Sequence, residues 1–249
     1  MSDTRRILAV EMATEGRRSR HEEIANLLSS VVGGDFAVDV ALLPKGPISL
    51  ETGCDIALAG LGILERVKRA EDEGYSAVLL CGALDPCLDY ARTVTRIPVV
   101  GAGRAACLTA AALGSRLGVM ATTRYHIPFL RDVVRRAGLR DDAIIRSIEI
   151  PISRLRENLE YTLSRLIEEG GCAIGDGADV LILGCTSISE SGVRKMSAAL
   201  GVPVVHPNIA GALLAANLVR GSWSQSRACY GPVEDFKVRY SDVQVERDD

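Results

Sequence analysis

The segment Gly74-Tyr-Ser-Ala-Val-Leu-Leu-Cys81 has a counterpart later in the chain, Gly177-Ala-Asp-Val-Leu-Ile-Leu-Gly-Cys185. In both copies, an apolar run ends in a cysteine and a Pro-Val-Val strand follows, with Pro98 in the first copy and Pro203 in the second. The distance from cysteine to proline is 17 residues in one copy and 18 in the other. A duplicated unit of this length is too long for a solenoid repeat, so the sequence predicts two lobes related by pseudo-symmetry.

Short β-branched runs alternate with longer helical patterns, which is typical of parallel sheets with helices on their faces, so the fold class is predicted to be α/β. A capping box at Ser19-x-x-Glu22 predicts the start of one helix. Gly74 after 61–73 and Gly138 after 129–137 predict the ends of two others. The runs predict eight strands: Ile7–Val10, Ala37–Leu43, Ala77–Leu80, Val99–Val100, Leu117–Ala121, Ile144–Ile150, Val180–Leu183 and Val204–Val205.

The composition disfavours several classes of protein. The chain has 249 residues and is 47% hydrophobic, which is enough for a sizeable core. Its net charge is −3, with 29 basic and 32 acidic residues mixed along the chain, so neither a nucleic-acid nor a membrane partner is expected. No apolar run has the length of a signal or membrane-spanning segment, and the seven cysteines are an odd number. We therefore expect a cytoplasmic protein with reduced thiols.

Cys81 and Cys185 are the strongest candidates for catalytic residues. Each follows a buried apolar strand, and ligands of open α/β sheets bind at the carboxyl ends of the strands. Two lobes facing each other would bring both thiols to one small molecule at the lobe interface. An isolated free cysteine is most often a packing residue, but matching positions in a duplicated unit favour a functional pair. Each cysteine also precedes a predicted helix start, where backbone N–H groups favour the thiolate.

The expected helix starts have candidate caps. Asp85 is predicted to cap a helix that has Pro86 at its first position, and Ser187 or Ser189 is predicted to cap the helix over 192–200. The remaining cysteines lack the symmetry of the pair. We expect Cys107 and Cys172 to pack inside the protein, Cys87 to fill a core or cap region, and Cys54 and Cys229 to lie in loops. The sequence has neither C-x-x-C nor a paired-histidine spacing, so no metal site is expected.

Gly101-Ala-Gly-Arg-Ala-Ala106 matches the G-x-G-x-x-A dinucleotide fingerprint in form. That fingerprint also needs an acidic residue about 20 positions later, and no Asp or Glu occurs between Gly103 and Arg131. We interpret the segment as a tight turn rather than a nicotinamide site. The sequence has no phosphate-binding loop of the Walker type and no G-x-S-x-G elbow.

Other candidates for the site lie at strand ends. Thr122 and Thr123 close the strand over 117–121, and Glu11 stands at the equivalent point of the first strand. The threonines are also ordinary turn formers, and His206 either supports a residue that contacts the substrate or is a turn residue. Backbone N–H groups around Gly82-Ala83, Thr186-Ser187 and Thr122-Thr123 are expected to stabilise negative charge that develops on a substrate oxygen. The predicted substrate-binding residues are Glu11, Gly82, Ala83, Thr122, Thr123, Thr186, Ser187 and His206.

The cysteine-bearing strand ends, the Pro-Val-Val segments and the stretch from Met120 to Gly138 resemble the Asp/Glu racemase superfamily, nearest to its hydantoin racemase branch, which includes allantoin racemase-like proteins. The resemblance spans nearly the whole chain. It implies two Rossmann-like lobes, the first formed by residues 1–100 plus 207–249 and the second by residues 101–206. It also implies no cofactor and a two-base proton transfer by Cys81 and Cys185, and a homo-oligomer is expected.

The function predicted is inversion of a carbon acid next to a carbonyl, in a hydantoin, allantoin or amino-acid-like molecule. Two fixed thiols on opposite faces of the carbon avoid moving one base across the planar intermediate. The first strand ends in Val10-Glu-Met-Ala-Thr14 where family members near hydantoin racemase usually carry an Asn-Pro-Asn-like segment. Two alternatives stay open: a cis–trans isomerase or decarboxylase of the same superfamily, and a small-ligand binding protein with incidental cysteines.

Overall fold

The computed structural model describes residues 4–16 and 18–231. Its eight strands form two parallel sheets of four strands each, which confirms the predicted α/β class and the two-lobed pattern. The strand order is β2-β1-β3-β4 in the first sheet and β6-β5-β7-β8 in the second, so the two sheets share one topology. The strands are β1 Arg5–Glu11, β2 Phe36–Ala41, β3 Ala77–Cys81, β4 Val99–Gly101, β5 Leu117–Ala121, β6 Ile144–Ser147, β7 Val180–Leu183 and β8 Val204–Val205.

Helices lie between consecutive strands in the chain, as parallel pairing requires. The segment 101–106, interpreted above as a tight turn, is the junction at which β4 passes directly into a helix. Two short 3-10 turns, Arg124–His126 and Ile152–Arg154, lie in the second half of the chain. The helices are α1 Arg18–Val32, α2 Gly53–Asp72, α3 Leu88–Ala91, α4 Ala102–Ala111, α5 Ile127–Arg136, α6 Leu159–Gly175, α7 Glu190–Leu200 and α8 Pro207–Arg220.

The largest core joins the two sheets. It contains Ile7 and Leu79 from the first sheet, Val119 and Ile182 from the second, and the small residues of α4 and α8 between them. A second core lies under α2 on the outer face of the first sheet, and a third lies under α6 and α7 on the outer face of the second. Because the buried faces of α4 and α8 consist mainly of alanine and glycine, these helices approach each other and the sheets closely. The carboxyl ends of both sheets are thereby brought to a common region.

Helix α8 packs against α1, β3 and β4 of the first sheet. The division into lobes at residues 100 and 207 stays a prediction, and the part of it that covers 232–249 lies outside the described residues. Within the described residues, no helix is long and apolar enough to cross a membrane.

Two of the predicted helix caps are wrong. Ser19 lies inside the first turn of α1, where Arg18 Nε donates to Glu22 at 3.1 Å instead. The capping box belongs to α2, where the Thr52 side chain accepts from the Asp55 N–H and Asp55 accepts from the Thr52 N–H. Of the two caps predicted for α7, Ser189 is confirmed, because it accepts from Gly192 N–H at 3.3 Å, but the helix begins at Glu190 rather than at 192.

Asp85 caps a different helix from the one predicted. Its φ of 47° takes the chain out of a helical path, and α3 begins only at Leu88. The Asp85 carboxylate accepts from the backbone N–H groups of Gly103, at 2.8 Å, and Arg104, at 2.7 Å, in the first turn of α4. Gly103 has no room for a side chain, since a Cβ there would lie 2.1 Å from the Ala83 carbonyl oxygen. The loop after β3 is therefore fixed directly on the start of α4.

Candidate active site

A cavity of about 290 Å³ lies where the carboxyl ends of the two sheets face each other. Both predicted catalytic cysteines line it, one from each lobe. Five of the predicted substrate-binding residues line it as well: Glu11, Gly82, Ala83, Thr186 and Ser187. The cavity thus lies at the lobe interface, where the duplication in the sequence predicts the site. Its remaining walls come from Met12–Ala13, Glu15, Arg20, Ile48–Leu50, Leu84, Ile152, Ser153 and Gly184.

The loops that carry the two cysteines are joined directly. Thr186 Oγ1 donates a hydrogen bond of 3.2 Å to the carbonyl oxygen of Cys81. The residue before Cys185 is a glycine, and a Cβ at Gly184 would lie 2.8 Å from the Met120 carbonyl oxygen. This close approach seats the Cys185 loop against β5. The relative position of the two cysteine loops is thus set by one side-chain hydrogen bond between them and by close backbone packing.

Cys185 is 6% exposed and receives backbone N–H groups at its sulfur. Burial raises the pKa of the thiol to about 11, although the N–H groups of Ser187 and Ile188 and the charge of Arg20 act to lower it. The backbone donors predicted for this thiol are therefore present. Burial outweighs them, and the resting group is a neutral thiol at neutral pH.

Cys81 is 3% exposed and lies beside Glu11, its partner in the register of β1 with β3. Burial raises the pKa of Cys81 well above its ordinary value, the Glu11 carboxylate raises it further, and Arg20 lowers it. The predicted help from a helix amino terminus is wrong for this residue, because α3 begins at Leu88 and has only four residues. Cys185 is therefore the more acidic thiol of the pair.

Arg20 is a site residue that sequence reasoning missed. It lies in the first turn of α1, and its Nη2 donates to Glu11 Oε1 at 3.3 Å. His21 Nε2 lies 3.5 Å from the other oxygen of Glu11. Glu11 is buried, so two basic side chains from α1 accompany a carboxylate at the floor of the cavity. The sequence marks this position only by a cluster of basic residues near the start of a helix. Such a cluster more often lies on a solvated surface than in a site.

A second missed residue connects the lobes at the cavity mouth. The Glu51 carboxylate, from the first lobe, accepts from the backbone N–H groups of Ile152, at 3.0 Å, and Ser153, at 2.8 Å. Burial acts to raise the pKa of Glu51, but these N–H donors outweigh it and hold the pKa below its ordinary value. Ser49, Ile152 and Ser153 line the cavity, so this contact ties two of its walls together.

Three predicted substrate-binding residues lie away from the cavity lining. Thr122 Oγ1 and His126 Nδ1 are 2.6 Å apart and form a buried pair, and the Thr123 hydroxyl is buried beside them. His206 Nε2 donates to the Ile188 carbonyl oxygen at 3.1 Å and so supports the loop after Cys185. Contact of Thr122, Thr123 or His206 with a substrate stays a prediction.

The other cysteines have no place in this site. Cys107 is buried as predicted, but Cys172 is exposed on α6, and Cys54 lies in α2 rather than in a loop. Cys87 is half-buried at the start of α3, and Cys229 is exposed. Within 4–16 and 18–231, no group of three His, Cys, Asp or Glu side chains is placed to hold a metal ion.

The sequence matches the family model described as Asp/Glu/hydantoin racemase over residues 18–215, which is most of the chain. The chain belongs to the Asp/Glu/hydantoin racemase family. This confirms the resemblance seen in the sequence.

Relatives within the racemase family cover most of the chain. The hydantoin racemase of Pseudomonas sp. (strain NS671) is 32% identical over 183 residues, which are 72% of this chain and 73% of that protein. The hydantoin racemase of Paenarthrobacter aurescens is 31% identical over 216 residues, which are 83% of this chain and 89% of that protein. These names support the predicted isomerase class.

A solved structure in the racemase family has the same fold. The crystal structure of allantoin racemase from Pseudomonas fluorescens aligns with a TM-score of 0.86 at 27% identity. The alignment covers 94% of this chain and 99% of that one. The fold is therefore shared over nearly the full length of both chains.

Proposed function

We propose that the protein is a cofactor-independent racemase of small cyclic ureides of the hydantoin type, with Cys81 and Cys185 as its acid and base. The observation that carries this proposal is the convergence of the two thiols, from opposite lobes, on one cavity. The names of the relatives point to hydantoin and allantoin, which share a five-membered ring with a carbon acid next to a carbonyl.

In the proposed reaction, the thiolate on one face of the ring removes the proton from the stereogenic carbon. The electron pair of the C–H bond forms a C=C bond, and the carbonyl π electrons move to oxygen to give an enolate. The thiol on the other face then donates its proton to the carbon, and the enantiomer results. The backbone N–H groups of Gly82, Ala83, Thr186 and Ser187 supply candidate donors for the enolate oxygen.

A polarimetric screen tests the proposal. Single enantiomers of 5-substituted hydantoins, allantoin, aspartate and glutamate are incubated with the protein, and optical rotation is followed to zero. We expect decay of rotation with a cyclic ureide. Decay with an acidic amino acid alone would assign a different substrate, and a lack of decay with every compound would contradict racemase activity on this set.

Alkylation with iodoacetamide distinguishes the proposal from a binding protein with incidental cysteines. Thiols used in catalysis should react at Cys81 and Cys185, and a substrate should protect both. The presence of two thiols in one cavity also disfavours a decarboxylase that relies on a lone proton donor. A cis–trans isomerase is the alternative that keeps both cysteines. Formation of the other geometric isomer from an alkene diacid would identify that activity.

The pH dependence of kcat/KM is expected to be bell-shaped with an alkaline optimum. One cysteine must be a thiolate and its partner a thiol, and the pKa of the more acidic group, Cys185, is raised to about 11. Below that pKa the thiolate fraction rises with pH, so kcat/KM should increase roughly tenfold per pH unit above neutrality. It should fall again when Cys81 also loses its proton. Initial rates at subsaturating substrate measure this, and a flat profile across the thiol range would contradict it.

Activity is expected to need neither a metal ion nor a nucleotide. The proposed chemistry uses only thiols and hydrogen-bond donors, and the sequence lacks a metal-ligand spacing and a phosphate-binding loop. Dialysis against EDTA should leave turnover unchanged. Loss of turnover that a divalent ion restores would show that the proposed mechanism is incomplete.

A further inference from the structure

Arg20 brings a positive charge into the cavity from outside both cysteine loops. It lies on α1, lines the cavity, and has a side chain that is 28% exposed. Within the described residues, its hydrogen bond is the 3.3 Å contact from Nη2 to Glu11, and a guanidinium carries five N–H donors. Arg20 is therefore held by one long contact and keeps donors for a ligand.

The charge of Arg20 acts on both thiols. It lowers the pKa of Cys81 in the first lobe and the pKa of Cys185 in the second, although burial dominates at each. Both thiols are thus within reach of the charge of one guanidinium that lines the same cavity. Negative charge develops in this cavity during proton removal from either side.

Glu11 explains how an arginine is kept at this position. The carboxylate is buried at the end of β1, and its two oxygens face Arg20 and His21. Arg18, two residues earlier on the same helix, is 94% exposed and pairs with Glu22 in solvent. The helix thus directs one arginine into the cavity and leaves the other outside.

We propose that Arg20 is a further catalytic residue, which donates to the enolate oxygen of the substrate and stabilises the enolate formed by either cysteine. The inference rests on the proposed racemase function. Proton removal places the electron pair of the C–H bond in the C=C bond and the carbonyl π pair on oxygen, while the guanidinium keeps its protons. Because the same oxygen carries the charge in both directions, one donor serves both half-reactions.

The first test measures the thiols themselves and does not depend on turnover. Arg20→Gln, Arg20→Lys and the matched control Arg18→Gln are labelled with iodoacetamide, and peptide mass spectrometry follows Cys81 and Cys185 separately. Loss of the charge should slow labelling of both cysteines roughly tenfold, while Arg20→Lys and Arg18→Gln stay near the rate of the unaltered protein. If the labelling of one thiol or of neither slows, the proposal is overturned.

The second test measures the reaction. Arg20→Gln should lower kcat/KM for a hydantoin by roughly 10²–10³-fold, the loss expected for one oxyanion donor, and Arg20→Lys should restore part of it. In the single-cysteine backgrounds Cys81→Ala and Cys185→Ala, adding Arg20→Gln should slow deuterium exchange of the substrate in both. Exchange that slows in only one background would contradict a donor shared by both half-reactions.

The two tests separate the inference from the function on which it rests. If the unaltered protein racemises hydantoins and Arg20→Gln does so equally well, the assignment of Arg20 fails and the racemase function stands. If the unaltered protein racemises none of the compounds while labelling of both thiols depends on Arg20, the racemase function fails. In that case the catalytic role proposed for Arg20 also fails, and the labelling shows only that the charge of Arg20 affects both sulfurs.

Discussion

Cys81→Ala and Cys185→Ala are each expected to abolish racemisation, with a loss of roughly 10²–10⁴-fold or more from the missing acid or base. The two variants should differ in what they keep. Since each remaining thiolate faces one side of the carbon, each variant should exchange the substrate hydrogen for deuterium in only one enantiomer, without inversion. The preferred enantiomers should be opposite. Proton NMR in heavy water, with both enantiomers and both variants, measures this directly.

Cys172→Ala is the matched control for these variants. Cys172 is exposed on α6 and far from the cavity lining, so its removal should leave racemisation unchanged. Equal exchange of both enantiomers by Cys81→Ala or by Cys185→Ala would refute the assignment of the thiols to opposite faces. Full racemase activity in either variant would do the same.

Gly103→Ala is expected to destabilise the protein and to impair the site, although alanine favours a helix over glycine by roughly 1 kcal/mol. The new Cβ would lie 2.1 Å from the Ala83 carbonyl oxygen and 2.9 Å from its carbon, so the loop after Cys81 must move. Overpacking of this kind costs roughly 1–3 kcal/mol. A displacement of about 1 Å at the reacting groups costs roughly 10²-fold in rate. Thermal unfolding and kcat/KM measure the two effects.

Gly171→Ala provides the opposite case in the same chain. Gly171 also lies inside a helix, α6, but the nearest atom to an added Cβ is Leu200 Cδ2 at 4.0 Å. With room for the methyl group, helix propensity should decide, and this variant should be more stable by roughly 0.5–1 kcal/mol with unchanged activity. A Gly103→Ala protein as stable and active as Gly171→Ala would contradict this prediction, because it would show that the loop after Cys81 moves without loss of stability or activity.

The parts of the fold that the sequence predicted correctly depend on local patterns. Apolar runs such as 77–80 and 180–183 are recognisable because buried parallel strands need continuous β-branched or aliphatic residues. The duplicated cysteines were recognisable because their positions follow from the ends of those strands. Ser189 was one of the two caps predicted for α7, since a cap lies only three residues from the group it binds, although the predicted helix began at 192 rather than at Glu190.

The features that sequence reasoning missed depend on contacts distant in the chain. Asp85 was expected to cap the next helix, but it binds N–H groups 18 and 19 residues later, and no local signal distinguishes these partners. The partners of Glu51 lie 101 and 102 residues away, across the lobe interface. Arg20 was missed because the direction in which α1 turns its side chains depends on how the helix packs.

The two thiols occupy equivalent strand ends in unequal surroundings, Cys81 beside a carboxylate and Cys185 among N–H donors. In a racemase with this asymmetry, the protonation state of the two thiols after a turnover would differ from the state before it. When the free protein loses one of the two thiol protons, the thiolate would lie at Cys185, and conversion of one enantiomer would leave the thiolate at Cys81. A proton must then pass from one sulfur to the other before the same enantiomer is processed again, whereas its mirror image is accepted at once.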